Sequence, residues 1–213
     1  ATGHARLWGG VTPVFVDIDP TTLNIDPERI ERAITPRTTA IMAVHCFGHA
    51  CDVVAIEDIA RRHGLKVIYD AAHAFGVRLG NGRSVLEYGD LSVASFHATK
   101  VFNTFEGGAI ISRHGDAKQA IDRLTNYGIV DENTIATVGL NAKMSEIHAA
   151  MGLAQLPCID AALASRRQID EHYRELLKGL PGIAPVMWPG GQTRNYYAFP
   201  VLVGDEFGCS RDE

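Results

Sequence analysis

Apolar and polar positions alternate along this chain in short blocks of two kinds. Compact apolar runs read as buried strands at residues 13–17, 40–44, 66–69, 91–95 and 107–111. Between them lie longer stretches with apolar residues at helical spacing, near 27–34, 53–63, 116–124, 144–155 and 161–180. Local chemistry supports two of the helix ends. Asp26 stands where an N-cap belongs, with Pro27 at the first helical position. Gly64 follows the next helix as a C′ glycine. Strands alternating with helices predict an α/β fold, a mostly parallel sheet flanked by helices. The helical stretch from 144 to 180, interrupted near Pro157, leads out of that sheet, and Pro181-Gly182 and Trp188-Pro189-Gly190-Gly191 mark a boundary. The expected organisation is a large α/β domain over 1–157, a connecting helix and linker over 158–195, and the beginning of a small C-terminal domain over 196–213, opened by a strand at 198–203.

Composition narrows the function classes. The chain of 213 residues, 46% hydrophobic, is long enough for one sizeable core. A formal net charge of −5 argues against nucleic-acid or anionic-membrane binding. No unbroken apolar run approaches the roughly 20 residues of a membrane helix, and the N-terminus has no signal-peptide core, so a cytoplasmic protein is expected. Cys46, Cys51, Cys158 and Cys209 are scattered and read as reduced thiols. His45, Cys46, His49 and Cys51 are ligand types, but no second pair follows at a zinc spacing, and no metal is expected.

Two segments fall directly after predicted strands, where open parallel sheets bind ligands. One is Asp70-Ala71-Ala72-His73; the other runs from Ser95 through Lys100 to Glu106-Gly107-Gly108. Asp70 alone could be a turn former, and Lys100 alone a solvated lysine. Phe96, Val101, Phe102 and Phe105 surround Lys100 in sequence, however, and partial desolvation makes an amine nucleophilic. If the two strands are neighbours, a lysine and a carboxylate share one pocket. Pyridoxal 5′-phosphate (PLP) needs that pair, the lysine for a Schiff base and the acid for the pyridine nitrogen. Ser95 is placed to donate to the phosphate. A dinucleotide-binding dehydrogenase fits poorly, since no GxGxxG follows an early strand.

Five blocks carry a resemblance: Pro13-Val14-Phe15-Val16-Asp17-Ile18-Asp19; Val44-His45-Cys46-Phe47-Gly48; Asp70-Ala71-Ala72-His73; Ser95-Phe96-His97-Ala98-Thr99-Lys100 with Glu106-Gly107-Gly108; and Gly139-Leu140-Asn141-Ala142-Lys143-Met144-Ser145-Glu146. In this order they resemble the DegT-type nucleotide-sugar aminotransferases, PLP enzymes of fold type I, up to about residue 180. The resemblance implies that Lys100 forms the Schiff base, Asp70 pairs with the pyridine nitrogen, His73 lies near the cofactor's phenolic oxygen and Ser95 binds its phosphate. It also implies that Asn141 reaches the phosphate of a neighbouring subunit, so that a homodimer shares its active sites. The same Asn141 could cap the helix that follows.

The lysine loop most resembles that of enzymes aminating C4 of a dTDP-linked 4-keto-6-deoxy sugar, the viosamine-forming reaction. Glutamate is the implied donor, and O-antigen or another glycan the implied setting. A 3-aminotransferase, a dehydratase, or a non-catalytic fragment that does not retain PLP are the competing expectations. His97 and Glu106 are open between structure and function; Tyr196 and Tyr197 could line a sugar site but read first as strand core. Relative to the family, a Gly-Thr phosphate turn and a ring-stacking aromatic are expected before Ala1, and most of the small domain after Glu213.

Overall fold

The computed structural model describes residues 1–210 and 212. It begins with a short helix, α1 (Thr2–Trp8), which the apolar pattern did not predict. Helix α2 (Pro27–Ala33) starts as expected: the Asp26 carboxylate accepts the Glu28 N–H, and Pro27 fills the first turn, where its missing donor costs nothing. Strand β1 (Ala40–Val44) follows, then α3 (Val53–His63), which Gly64 ends in the left-handed conformation at φ 64°. The remaining strands of the sheet are β2 (Lys66–Asp70), β3 (Leu91–Ser95) and β4 (Gly108–Ser112).

The sheet order is β1-β2-β3-β4, with β1–β2 and β2–β3 parallel and β3–β4 antiparallel. The reversal at β4 follows from chain length. Twelve residues join Ser95 to Gly108, and they are spent on the lysine loop rather than on a crossover helix. Alternate strand residues pack into the core. Ile41, Ala43, Val67 and Tyr69 meet Val53, Ile56, Ile59 and Ala60 of α3, and Ile30 of α2 closes the layer.

After the sheet come α4 (Gly115–Leu124), an unforeseen hairpin of β5 (Ile129–Asp131) and β6 (Thr134–Ile135), α5 (Glu146–Gln155), α6 (Ile159–Leu176), and a separate two-stranded sheet of β7 (Ile183–Pro185) and β8 (Val201–Val203). Three differences from expectation have local causes. Residues 13–17 form no strand: among the described residues the segment's backbone is met only at Asp17, whose carbonyl accepts the Asp26 N–H, and Val14 and Phe15 stay exposed. A single turn containing Pro157 links α5 to α6, so the interruption at this proline is a bend in a helical run rather than its end. By length and composition the run 146–176 could cross a membrane, although it holds no unbroken apolar stretch of that length: Asp160, Arg166, Arg167 and Asp170 punctuate it.

Asp170 anchors this run to the rest of the chain. It is buried, and its carboxylate accepts from Arg174 at 2.8 Å and from Arg194 at 2.8 and 3.2 Å. Burial alone would raise its pKa, but the two guanidinium groups outweigh it and hold the carboxyl below its ordinary range.

Candidate active site

Strands β2 and β3 are neighbours, so their carboxyl ends open on one edge of the sheet. Asp70 is the last residue of β2 and lies between the ends of β1 and β3. Its carboxylate accepts the Ala72 N–H at 3.1 Å and the hydroxyl of Thr2 on α1. Ser95 is the last residue of β3; its hydroxyl oxygen accepts the His97 N–H at 3.4 Å, and its proton remains available.

The lysine loop is closed at its base by three hydrogen bonds. The N–H groups of Phe96 and Thr104 bond to the carbonyls of Gly107 and Phe96, each at 2.8 Å, and the Thr104 hydroxyl donates to Glu106 O at 2.7 Å. Gly107 sits at φ 148°, and a Cβ there would run into the Thr104 hydroxyl and the Met144 methyl. Phe75, Phe96 and Phe102 pack behind the loop, two edge-to-face pairs and one stacked pair with centroids 4.6 Å apart. A tight turn, Lys100 N–H to His97 O at 2.9 Å, then sets the lysine. The exposed His97 ring shapes this turn by bonding the Thr99 N–H and hydroxyl, with the exposed Glu106 3.7 Å away; both act on the loop's shape.

Lys100 is half-buried. Its amine meets the Tyr197 hydroxyl at 3.5 Å, and the Tyr197 ring stacks on the His73 ring at 4.2 Å. His73 Nδ1 is buried and has no hydrogen-bond partner among the described residues. Burial and the nearby Lys100 charge push the His73 pKa down, against the pull of Asp70. The structure thus places His73 within electrostatic reach of both Asp70 and Lys100, with Ser95 at the same sheet edge. Asn141 lies elsewhere, in an exposed loop bridged to Asn126.

These residues fit the PLP that the sequence resemblance implies. A carboxylate, a primary amine, a free hydroxyl and an orphaned imidazole nitrogen stand at one strand-end edge, and a buried polar atom without a partner marks a place where one is supplied. The suspected ligand loop does something else. His45 Nδ1 accepts the Cys51 N–H at 3.0 Å, and Cys51 Sγ donates to Val44 O at 3.1 Å. Three participants escaped the sequence reading: Thr2, Asn195 and the contact of Tyr197 with Lys100. The tyrosine lies 97 residues from that lysine, and no local pattern reports such a distance.

Comparison with known proteins identifies the family. The chain is 57% identical over 213 residues to a dTDP-4-amino-4,6-dideoxy-D-glucose transaminase of Shigella dysenteriae, matching all of this chain and 58% of that protein. A protein of the same name from Escherichia coli is 50% identical over 215 residues, again along the whole chain and 57% of the relative. The chain therefore spans under two thirds of the length of these relatives. The crystal structure of DesI in the presence of its TDP-sugar product superimposes with a TM-score of 0.92 at 40% identity, over 99% of this chain and 54% of that one. The family description DegT/DnrJ/EryC1/StrS aminotransferase matches residues 1–213. With that match along its whole length, this chain belongs to the DegT/DnrJ/EryC1/StrS aminotransferase family.

Proposed function

We propose that this chain is the cofactor-holding part of a PLP-dependent enzyme that moves an amino group from glutamate to C4 of a dTDP-linked 4-keto-6-deoxy sugar. The carrying observation is that Asp70 at the end of β2 and Lys100 on the loop leaving β3 both act on His73, whose ring shares Tyr197 with the lysine amine. The names of the relatives that match the whole chain support the sugar and the position.

PLP is the cofactor of this family, and when bound it supplies an electron sink for breaking the bond to the substrate's α-hydrogen. The chain's own groups do the rest. Lys100 Nζ would hold the cofactor covalently and, when free, would move the proton between the substrate's α-carbon and the cofactor. The Asp70 carboxylate would keep a proton on the ring nitrogen. His73 would stand near the ring oxygen, and the Ser95 hydroxyl would donate to the phosphate. The free cysteines suit a cytoplasmic setting, with O-antigen or another glycan as the product's destination. Residues 196–213 open the second, smaller domain.

The test uses the full-length enzyme. With PLP it should gain a band near ~420 nm, the absorbance of a protonated lysine–PLP imine. Lys100→Ala should not form it, glutamate should bleach it, and a dTDP-4-keto-6-deoxy sugar should restore it while yielding a 4-amino sugar. Amination of a 3-keto sugar alone would refute the assignment.

The partner is a second copy of this chain, contributing Asn141. Around that residue Val138, Leu140 and Ile147 are 91%, 70% and 78% exposed, a patch that a partner subunit would cover. Full-length Lys100→Ala and Asn141→Ala subunits should each be nearly inactive. Refolded together, they should recover about one quarter of wild-type activity, because half of the dimers then hold one intact site. No recovery would mean that Asn141 serves its own subunit.

A further inference from the structure

We propose that Tyr197 is the partner of the Lys100 nitrogen, orienting it both as the free amine and when it holds the cofactor, and that Asn195 is the residue that positions Tyr197. The inference rests on reading Lys100 as the cofactor-bearing lysine and goes beyond it.

Lys100 Nζ has one hydrogen-bond partner among the described residues, the Tyr197 hydroxyl at 3.5 Å, and it lies 5.1 Å from the centroid of the same ring. A lysine that is first bound and then released needs such a partner. Its four-carbon stem is flexible, and an amine that moves a proton must hold its lone pair on the reacting carbon.

The tyrosine is locked in place. Its ring lies flat on His73, 4.2 Å between centroids. Its own N–H bonds to Asn195 Oδ1 at 3.1 Å, while Asn195 Nδ2 donates to the carbonyls of His73 at 2.7 Å and Phe75 at 3.0 Å. Asn195 is 1% exposed. One side chain therefore ties the segment bearing Tyr197 to the segment bearing His73. On the other side of the lock, Gly48 at φ 81° packs so closely that a Cβ would strike the Asn195 amide and the His73 carbonyl.

Between Asn195 and Tyr197 the backbone is strained. Tyr196 has φ 54°, a conformation that side-chain-bearing residues adopt only when their surroundings enforce it. The enforcement is visible. Asn195 fixes one neighbour, Arg166 bonds the Tyr196 carbonyl at 3.2 Å, and the Arg194 guanidinium sits 4.7 Å over the Tyr196 ring. The reversal sends the Tyr196 ring toward Arg194 and the Tyr197 ring toward Lys100. Ordinary strand geometry would also put consecutive side chains on opposite faces, but it would not need this strain.

The test compares Tyr197→Phe with Tyr196→Phe in the full-length holoenzyme. Tyr197→Phe keeps the ring against His73 and removes only the phenol. We expect kcat to fall about tenfold with KM within about twofold, the pattern of an interaction used in the transition state. The pH midpoint of the visible PLP band should move by about half a unit or more, the size expected from losing one hydrogen bond to a charged group. Tyr196→Phe should leave that midpoint where it is. A Tyr197→Phe midpoint and kcat matching those of Tyr196→Phe would overturn the proposal. Absence of a PLP band in the wild-type enzyme would refute the Lys100 reading itself, and it would show before any variant is made.

Discussion

Replacing Asp70 with Asn in the full-length enzyme should lower kcat by about three orders of magnitude or more, a loss on the scale of removing one preorganised electrostatic group from an active site. The substitution keeps the shape of the side chain and its position at the end of β2, so the sheet should survive. It removes the negative charge that holds a proton on the cofactor's ring nitrogen, and the ring then accepts electrons poorly. The neutral amide keeps one acceptor: its Oδ1 can still take the Ala72 N–H, while its Nδ2 can donate to the Thr2 hydroxyl oxygen. Cofactor should therefore still bind, with a visible band, while single-turnover bleaching by glutamate becomes slow. A rate within tenfold of wild type would mean that Asp70 is only the turn former its place at a strand end also allows.

The second large effect is on stability in mild acid. His45 is fully buried, and burial pushes its pKa down to about 4, against the attraction of Asp70 and with a smaller repulsion from His49. It folds as the neutral ring, with Nδ1 accepting the Cys51 N–H. The unfolded chain has an ordinary histidine near 6.5, so below that pH the unfolded state binds a proton that the folded state refuses. Stability is fully present above about 6.5 and declines as pH falls toward about 4. The span corresponds to roughly 3 kcal/mol, an order-of-magnitude figure. His49, also brought to about 4 by burial, adds to the same slope. The Asp170 cluster acts in another window. Its depressed carboxylate loses its contribution only as pH drops below about 4. Urea unfolding at pH 7 and pH 5 measures the histidine part. His45→Asn retains an acceptor for Cys51 without a titrating ring, so it should flatten the pH dependence even if its stability is lower overall. An unchanged slope in that variant would assign the acid sensitivity elsewhere.

Much of the sheet was legible because its signals are local. An aspartate followed by proline starts a helix wherever it occurs, and Asp26 and Pro27 do. Gly64 ends α3 through its own backbone freedom. The strands β1, β2 and β3 are short apolar runs with alternate residues buried, and their pairing put Asp70 and Ser95 on one sheet edge, as the spacing had suggested. Residues 13–17 failed for the converse reason. Val14 and Phe15 are apolar enough for a strand, but strand formation needs a neighbour, and the apolar pattern carries no information about whether one is there. The hairpin β5–β6 has five strand residues, and its apolar ones, Ile129, Val130 and Ile135, stay exposed, so it offers no run long enough to read as a buried strand. Of the site, the residues on two adjacent strand ends could be read directly. Tyr197 could not, because its place depends on Asn195, Tyr196 and Arg194 acting together.

The grip of Asn195 on His73 and Phe75 also orders events in time. These bonds join residues 122 and 120 positions apart, whereas β1, β2 and β3 pair with partners about a quarter of that distance away. Loop closure becomes more costly with chain separation, so the sheet, with Asp70 and Ser95 already at its edge, should form well before the Tyr197 segment docks. A chain emerging from the ribosome would then hold a folded sheet and a placed lysine for the time needed to add nearly a hundred more residues. Tyr197 reaches the pocket from far along the chain, and the lysine gains its partner only when folding has reached that segment.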